Sequence, residues 1–216
     1  MTAPESANGR GKRISLPELE EMSADQKRVY DAVVAGPRGT IVGPLRAVIH
    51  SPELADRWQK LGEYVRYNTV IPEHLKELAI LITARRWNSE LEWTIHRPIA
   101  ENSGLSKCTV DTLRTGLEPD LPAAEEREIY EFVRELQTTG RVSDSAYVPI
   151  LERWGERGIV ELTAVTGYYT MVAMMLNAHD IPLPEGTNPD LGVDAQADAL
   201  YDLPSAGNKT QPLAGQ

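Results

Sequence analysis

Apolar and polar positions recur along this chain with the period of a helix, and no stretch sustains the two-residue alternation of a half-buried strand. Ser15-Leu16-Pro17-Glu18 has the form of a capping box with proline in the first turn, and predicts a helix running to about Ala35. Gly36, Pro37, Gly39, Gly43 and Pro44 then break the pattern into a loop. Ser51-Pro52 opens a second helix with Leu54, Trp58, Leu61 and Val65 at helical spacing. Pro72 opens a third, carrying Leu75, Leu78, Ala79, Ile80, Leu81, Ile82 and Ala84. A helix that is apolar nearly all round belongs at the centre of a fold. Ser89 opens a fourth helix that ends near Gly104, and Ser106 caps a short fifth that ends near Gly116. From Pro122 to Thr139 the pattern is that of a charged surface helix with Ile129, Phe132, Val133 and Leu136 inward, closed by Gly140. Ser143 caps a helix with Tyr147, Ile150, Leu151 and Trp154, and a second apolar helix runs from Ile159 to about Asn177.

Within that last helix Met171, Met174 and Met175, with Val172 and Leu176, are expected in the core. After Asp180 the chain turns to Pro, Gly, Asp and Asn. The expectation is an all-α protein of about seven to eight helices with extended polar ends. Residues 1–13 are expected to be a disordered lead-in and 14–182 the helical domain. Residues 183–216 are expected to be an irregular tail that wraps a neighbour or stays disordered.

Composition narrows the function classes. The chain has 216 residues, enough for one domain with a real core, and a net charge of −10. The acidic balance argues against nucleic-acid backbones as partners. With one Phe, eight Tyr and four Trp, a stacking platform for single strands is also disfavoured. A single cysteine, Cys108, excludes an internal disulfide, a thiolate zinc site and a dithiol redox pair, and is expected to be a small buried or half-buried hydrophobe. The longest uncharged run, Leu162 to Leu176, falls short of the roughly 20 residues of a membrane span and predicts a buried helix. No apolar leader precedes it, so the expected location is the cytoplasm, with no membrane partner.

The densest polar cluster lies on the third and fourth helices. Glu92 and His96 are four residues apart on one helical face, and Ser89 shares their stripe. Glu77, on the preceding helix, sits on the side of Ile80, Leu81 and Ala84, so antiparallel packing of the two helices brings it toward His96. A carboxylate beside a partly desolvated imidazole suits acid–base chemistry near neutral pH. Ser89 and Glu92 equally fit a capping box, and Glu92–His96 a surface pair. Pro98 removes a backbone bond to Thr94 and is expected to bend the helix just after His96. Arg85, Arg86 and Arg97 are candidates to hold a carboxylate, or to be surface ions. His179 is either a helix C-terminal cation or, with Tyr168 or Tyr169, part of a cavity wall. No histidine pair has metal-ligand spacing.

Glu77, then Glu92-Trp93-x-x-His96, Ala100 and Gly104-Leu105, then a short helix closed by Gly116, resembles the carboxymuconolactone decarboxylase family, within the wider AhpD-like superfamily. The resemblance extends in helix order from about Ser15 to Pro182. It implies an AhpD-like helical bundle and a trimeric or hexameric homo-oligomer. It further implies a cofactor-free, metal-free lyase or isomerase acting on a small carboxylate, a lactone or keto acid. By it, Glu77 and His96 take proton-relay positions, His96 as proton donor and Glu77 as its partner, with Glu92 a second acid. Ser89, Trp93, Arg85, Tyr168 and His179 are the candidate substrate-binding residues. The peroxidase branch of the superfamily carries a Cys-x-x-Cys pair where this chain has Ser89 and Glu92, so alkylhydroperoxidase activity is the weaker expectation. A non-catalytic oligomeric binding protein on the same scaffold and an oxidative or ring-forming enzyme are also compatible with these residues.

Overall fold

A computed structural model describes residues 13–117, 119–191 and 201–205. Every regular element among them is helical: a 3-10 turn, Leu19–Glu21, and eight α-helices. These are α1 (Ala24–Ala35), α2 (Leu45–Val48), α3 (Pro52–Tyr67), α4 (Glu73–Arg86), α5 (Glu90–Ser103), α6 (Lys107–Thr115), α7 (Ala124–Thr139) and α8 (Asp144–Ala178).

Helix α4 is the axis of the bundle. Every residue from Leu75 to Arg86 is buried, because α5, α7 and α8 all pack against it. An element covered on all sides needs apolar residues on all sides, and each fully buried Leu or Ile contributes about 1.5–3 kcal/mol. Its cationic residues lie at the ends, where they reach polar atoms: the Lys76 ammonium bonds the Arg66 carbonyl, and Arg86 bonds the Tyr201 carbonyl and the Asp202 carboxylate. Asn88 takes a left-handed conformation (φ 48°), and the Ser89 N–H bonds back to the Ala84 carbonyl at 2.8 Å. This closed turn folds α5 back along α4 after only three linking residues.

Two expectations need correction. The first helix starts at Ala24, capped by Ser23 and Gln26; Ser15 lies in extended chain, and its carbonyl accepts from His50 Nε2 at 2.7 Å. The helix from Ser143 and the apolar helix from Ile159 follow one another as expected, with no loop between them: they meet at a kink at Gly155 (φ 67°, ψ −172°), a conformation that favours glycine, and are labelled together as α8. Of the methionines, Met171 and Met175 pack against the core as expected, while Met174 is 48% exposed, off the inward stripe of Val172 and Leu176. By length and composition α8 alone among the described helices could cross a membrane, but more than half of its most apolar stretch is buried in the bundle, as in a core helix.

Part of the segment expected to be a tail packs on this same chain. Leu191 and Leu203 are buried with the core, and the Leu191 N–H bonds Glu90 Oε1 at 3.0 Å. Asp190 accepts from Trp93 Nε1 at 2.8 Å and from Arg97 Nη1 at 2.6 and 2.8 Å. The segment is irregular, yet it is a strap over α5. The lead-in up to residue 12 and the remaining tail lie outside the described residues.

Candidate active site

The α4–α5 hairpin brings Glu77 and His96 together. His96 Nδ1 donates to Glu77 Oε2 at 2.7 Å, and the residues are 4% and 1% exposed. That bond places the proton on Nδ1 and leaves Nε2 as the free position of the ring. The Tyr169 ring meets the imidazole edge-on at 5.0 Å and is followed by Tyr168, again edge-on, at 5.4 Å. Burial pushes the Tyr169 hydroxyl far above its usual range, so it stays protonated.

Glu92 is the anomalous group. It is 1% exposed, and its carboxyl has no charge partner and no well-formed hydrogen bond, with the Ser89 hydroxyl the polar group beside it. Burial pushes its pKa well above the ordinary carboxyl value; the Ser89 hydroxyl beside it pulls the other way, and the Glu77 charge adds to the rise. The capping box is not formed, since neither Ser89 nor Glu92 bonds the helix terminus, and Ser89 Oγ is likewise buried without a well-formed hydrogen bond. A buried carboxyl pushed toward its protonated form, four residues from a partnered histidine, has the character of a proton donor.

His96 and Glu92 both line one small cavity of about 40 Å³, walled also by Tyr168, Tyr169, Arg38 and Arg66. It is closed at one side by the segment between α1 and α2, where Val42 is 46% exposed. Arg38 Nη2 reaches the Tyr168 hydroxyl at 3.5 Å. Gly62 faces this contact closely enough that any side chain there would collide with both groups.

Of the residues singled out from the sequence, Glu77, Glu92, His96, Ser89, Tyr168 and Tyr169 gather at or beside this cavity. The others do not. Arg85 is turned away, stacked at 3.6 Å over the Tyr201 ring and bonded to Asn88, so it supports the C-terminal segment. Trp93 is fully buried and its indole N–H is taken by Asp190. Arg86 holds the chain near Tyr201, and Arg97 holds Glu101, Asp111 and Asp190. These arginines do hold carboxylates, but the chain's own. His179 follows the last turn of α8 and is not among the cavity-lining residues. Cys108 is exposed on α6 rather than buried, and Asp120 and Asp111 raise its thiol pKa, the reverse of an activated thiolate. Arg38 and Arg66 had no signal in the local sequence, because both come from elements remote from the α4–α5 motif. Among the described residues no group of three or more His, Cys, Asp or Glu side chains could hold a metal ion.

No family model matches the sequence, and no curated protein does. Solved structures match by fold. An uncharacterised peroxidase-related protein from Ralstonia eutropha, described as an alkylhydroperoxidase AhpD core, superposes with a TM-score of 0.66 at 14% identity, covering 88% of this chain and 100% of its own. A peroxidase-related protein from Silicibacter gives 0.64 at 10% identity over 81% of this chain and 92% of its own. The debrominase Bmp8, as a cysteine-to-alanine variant with 2,3,4-tribromopyrrole, gives 0.62 at 14% identity over 83% of this chain and 94% of its own. At such identities the likeness establishes the fold, and the chain has the all-helical AhpD-like architecture.

Proposed function

We propose that this protein is a cofactor-free acid–base enzyme, a carboxymuconolactone decarboxylase-like lyase or isomerase acting on a small carboxylated lactone or keto acid. The observation that carries the reading is the buried Glu77–His96 hydrogen bond beside a buried Glu92 without a charge partner, His96 and Glu92 lining one cavity. A buried carboxyl of this kind calls for an explanation, and carboxyls perturbed by burial cluster at functional sites.

In a decarboxylation, the bond between the carboxylate and the ring carbon breaks. Its electron pair passes into the conjugated carbonyl as an enolate, and CO₂ leaves. Glu92, as a neutral acid, donates a hydrogen bond to the developing enolate oxygen. Nε2 of protonated His96 delivers a proton to carbon, while Glu77 stabilises the imidazolium and fixes the ring. Solvent then reprotonates His96. An isomerisation uses the same groups, with neutral His96 first removing a proton next to the carbonyl. A cavity of about 40 Å³ is far below the roughly 300–1,000 Å³ of ligand sites. Turnover of a ring substrate therefore requires the lining segment Val42, Gly43 and Pro44 to move outward.

The test is turnover of 4-carboxymuconolactone and related keto acids by purified protein, followed as CO₂ release or loss of ultraviolet absorbance. His96→Ala is expected to abolish it. Equal rates in the two proteins end the assignment. Peroxidase activity is the weaker reading, since Cys108 lies exposed on α6 and Ser89 and Glu92 stand at the dithiol positions.

A further inference from the structure

We propose that Arg38 and Arg66 form a carboxylate-binding subsite in the wall of the cavity that holds His96 and Glu92, and that its ligand is a small planar monocarboxylate. This deepens the reading above and rests on it only for the identity of the reacting groups.

Four observations converge. First, both arginines line the cavity; the Arg66 guanidinium lies 5.6 Å from the Tyr67 ring centre, and neither arginine takes part in an ion pair among the described residues. Second, Arg38 is under-bonded: its Nε is buried without a partner, and its one side-chain hydrogen bond, to the Tyr168 hydroxyl, is long at 3.5 Å. A buried guanidinium N–H without an acceptor is costly, and an anion in the cavity would supply one. Third, the backbone reserves space for this arrangement. The absence of a side chain at Gly62 is what lets Arg38 Nη2 and the Tyr168 hydroxyl approach α3. Fourth, the charges are not cancelled within the cavity. Glu77 is paired with His96, and burial shifts Glu92 toward its uncharged form. The positive charge of Arg38 and Arg66 is felt at both the Tyr168 and Tyr169 hydroxyls. A chain of net charge −10 thus encloses an electropositive hole.

The chemistry selects the ligand class. A guanidinium fork matches the two oxygens of a carboxylate. The cavity holds about three waters' volume, room for the carboxylate group itself, and a ring attached to it needs the outward movement of the segment around Val42. The Tyr168 and Tyr169 rings in the cavity wall then give a surface to pack on to a flat apolar body, which a free phosphate lacks. Bound this way, the carboxylate would sit in the same cavity as Nε2 of His96 and Glu92.

The experiment is calorimetric titration of the intact protein with benzoate, with benzamide as the neutral isostere and with inorganic phosphate. Wild type is expected to bind benzoate at least about tenfold more tightly than benzamide or phosphate. Arg38→Gln and Arg66→Gln are each expected to weaken benzoate about tenfold, the double variant by more, and Arg38→Lys by less. Thermal melts of each variant show whether it is folded; if the arginine variants are not, the benzoate–benzamide comparison on wild type decides. No benzoate binding, equal binding of benzoate and benzamide, phosphate binding as tightly as benzoate, or a folded double variant that binds benzoate like wild type would each overturn the subsite. Loss of turnover in His96→Ala together with arginine-independent benzoate binding removes the subsite and leaves the acid–base reading standing. Arginine-dependent binding without His96-dependent turnover does the reverse.

Discussion

The Glu77 carboxylate and the His96 imidazole, nineteen residues apart in the chain, share a 2.7 Å hydrogen bond inside the bundle. Removing either partner leaves the other buried and unsatisfied. Glu77→Ala is therefore expected to lower the unfolding free energy by about 1–3 kcal/mol, and Glu77→Gln, which keeps an acceptor, by less. Urea denaturation at neutral pH measures both. A Glu77→Ala protein as stable as wild type would show that the pair carries no structural weight.

Glu92 makes stability depend on pH in a definite direction. Near and below the ordinary carboxyl value of 4.5 the side chain is protonated in both folded and unfolded chains. Above it the unfolded chain ionises while burial keeps the folded one protonated, so the group withdraws stability as pH rises toward its raised folded pKa. Glu92→Gln lacks this penalty. Its stability relative to wild type is expected to grow as pH rises above the ordinary carboxyl value of 4.5, up to the raised folded pKa. A difference that stays flat across that range contradicts a raised pKa.

Gly62 tests the shape of the cavity wall. Gly62→Ala forces a methyl group against the Tyr168 hydroxyl and the Arg38 guanidinium. Overpacking of this kind is expected to cost about 1–3 kcal/mol and to displace Arg38 from the cavity. Thermal melting reads the first effect and benzoate affinity the second. A variant with unchanged melting temperature and unchanged benzoate binding would mean that the wall has slack.

Arg97 is expected to govern the strap rather than the chemistry. It bonds Glu101, Asp111 and both oxygens of Asp190. Arg97→Ala is expected to speed amide exchange at Asp190 and Leu191 by at least about tenfold, since charged hydrogen bonds contribute about 1.5–3 kcal/mol each. Exchange indistinguishable from wild type at those two amides would assign the strap's attachment elsewhere, to Glu90 and the buried Leu191.

Local pattern carried much of this architecture. The all-round apolar run from Leu75 to Ala84 marked the central helix, because a helix packed on every side has no face for charge. Ser106, Gly104, Gly116 and Gly140 marked helix ends, because caps answer to backbone bonds within a few residues. The Ser89/Glu92/His96 stripe and its approach to Glu77 were legible for the same reason: one helical face and one short turn define them.

What local pattern could not settle depended on which elements meet. Whether Ser89 and Glu92 cap the helix or lie buried is decided by what covers the start of α5, and the burial that shifts Glu92 toward its uncharged form comes from neighbours distant in sequence. Arg85 and Trp93 looked like site residues from their place beside the motif, yet Tyr201 and Asp190 engage them. Arg38 and Arg66 carry no motif, and reach the cavity because α3 and the segment before α2 close over it. The helices and the acid–base stripe follow from interactions spanning a few turns, and so could be read residue by residue along the chain. Which charges are buried and paired, and which face a cavity, follows only from the packed bundle, because desolvation is a property of everything that surrounds a group.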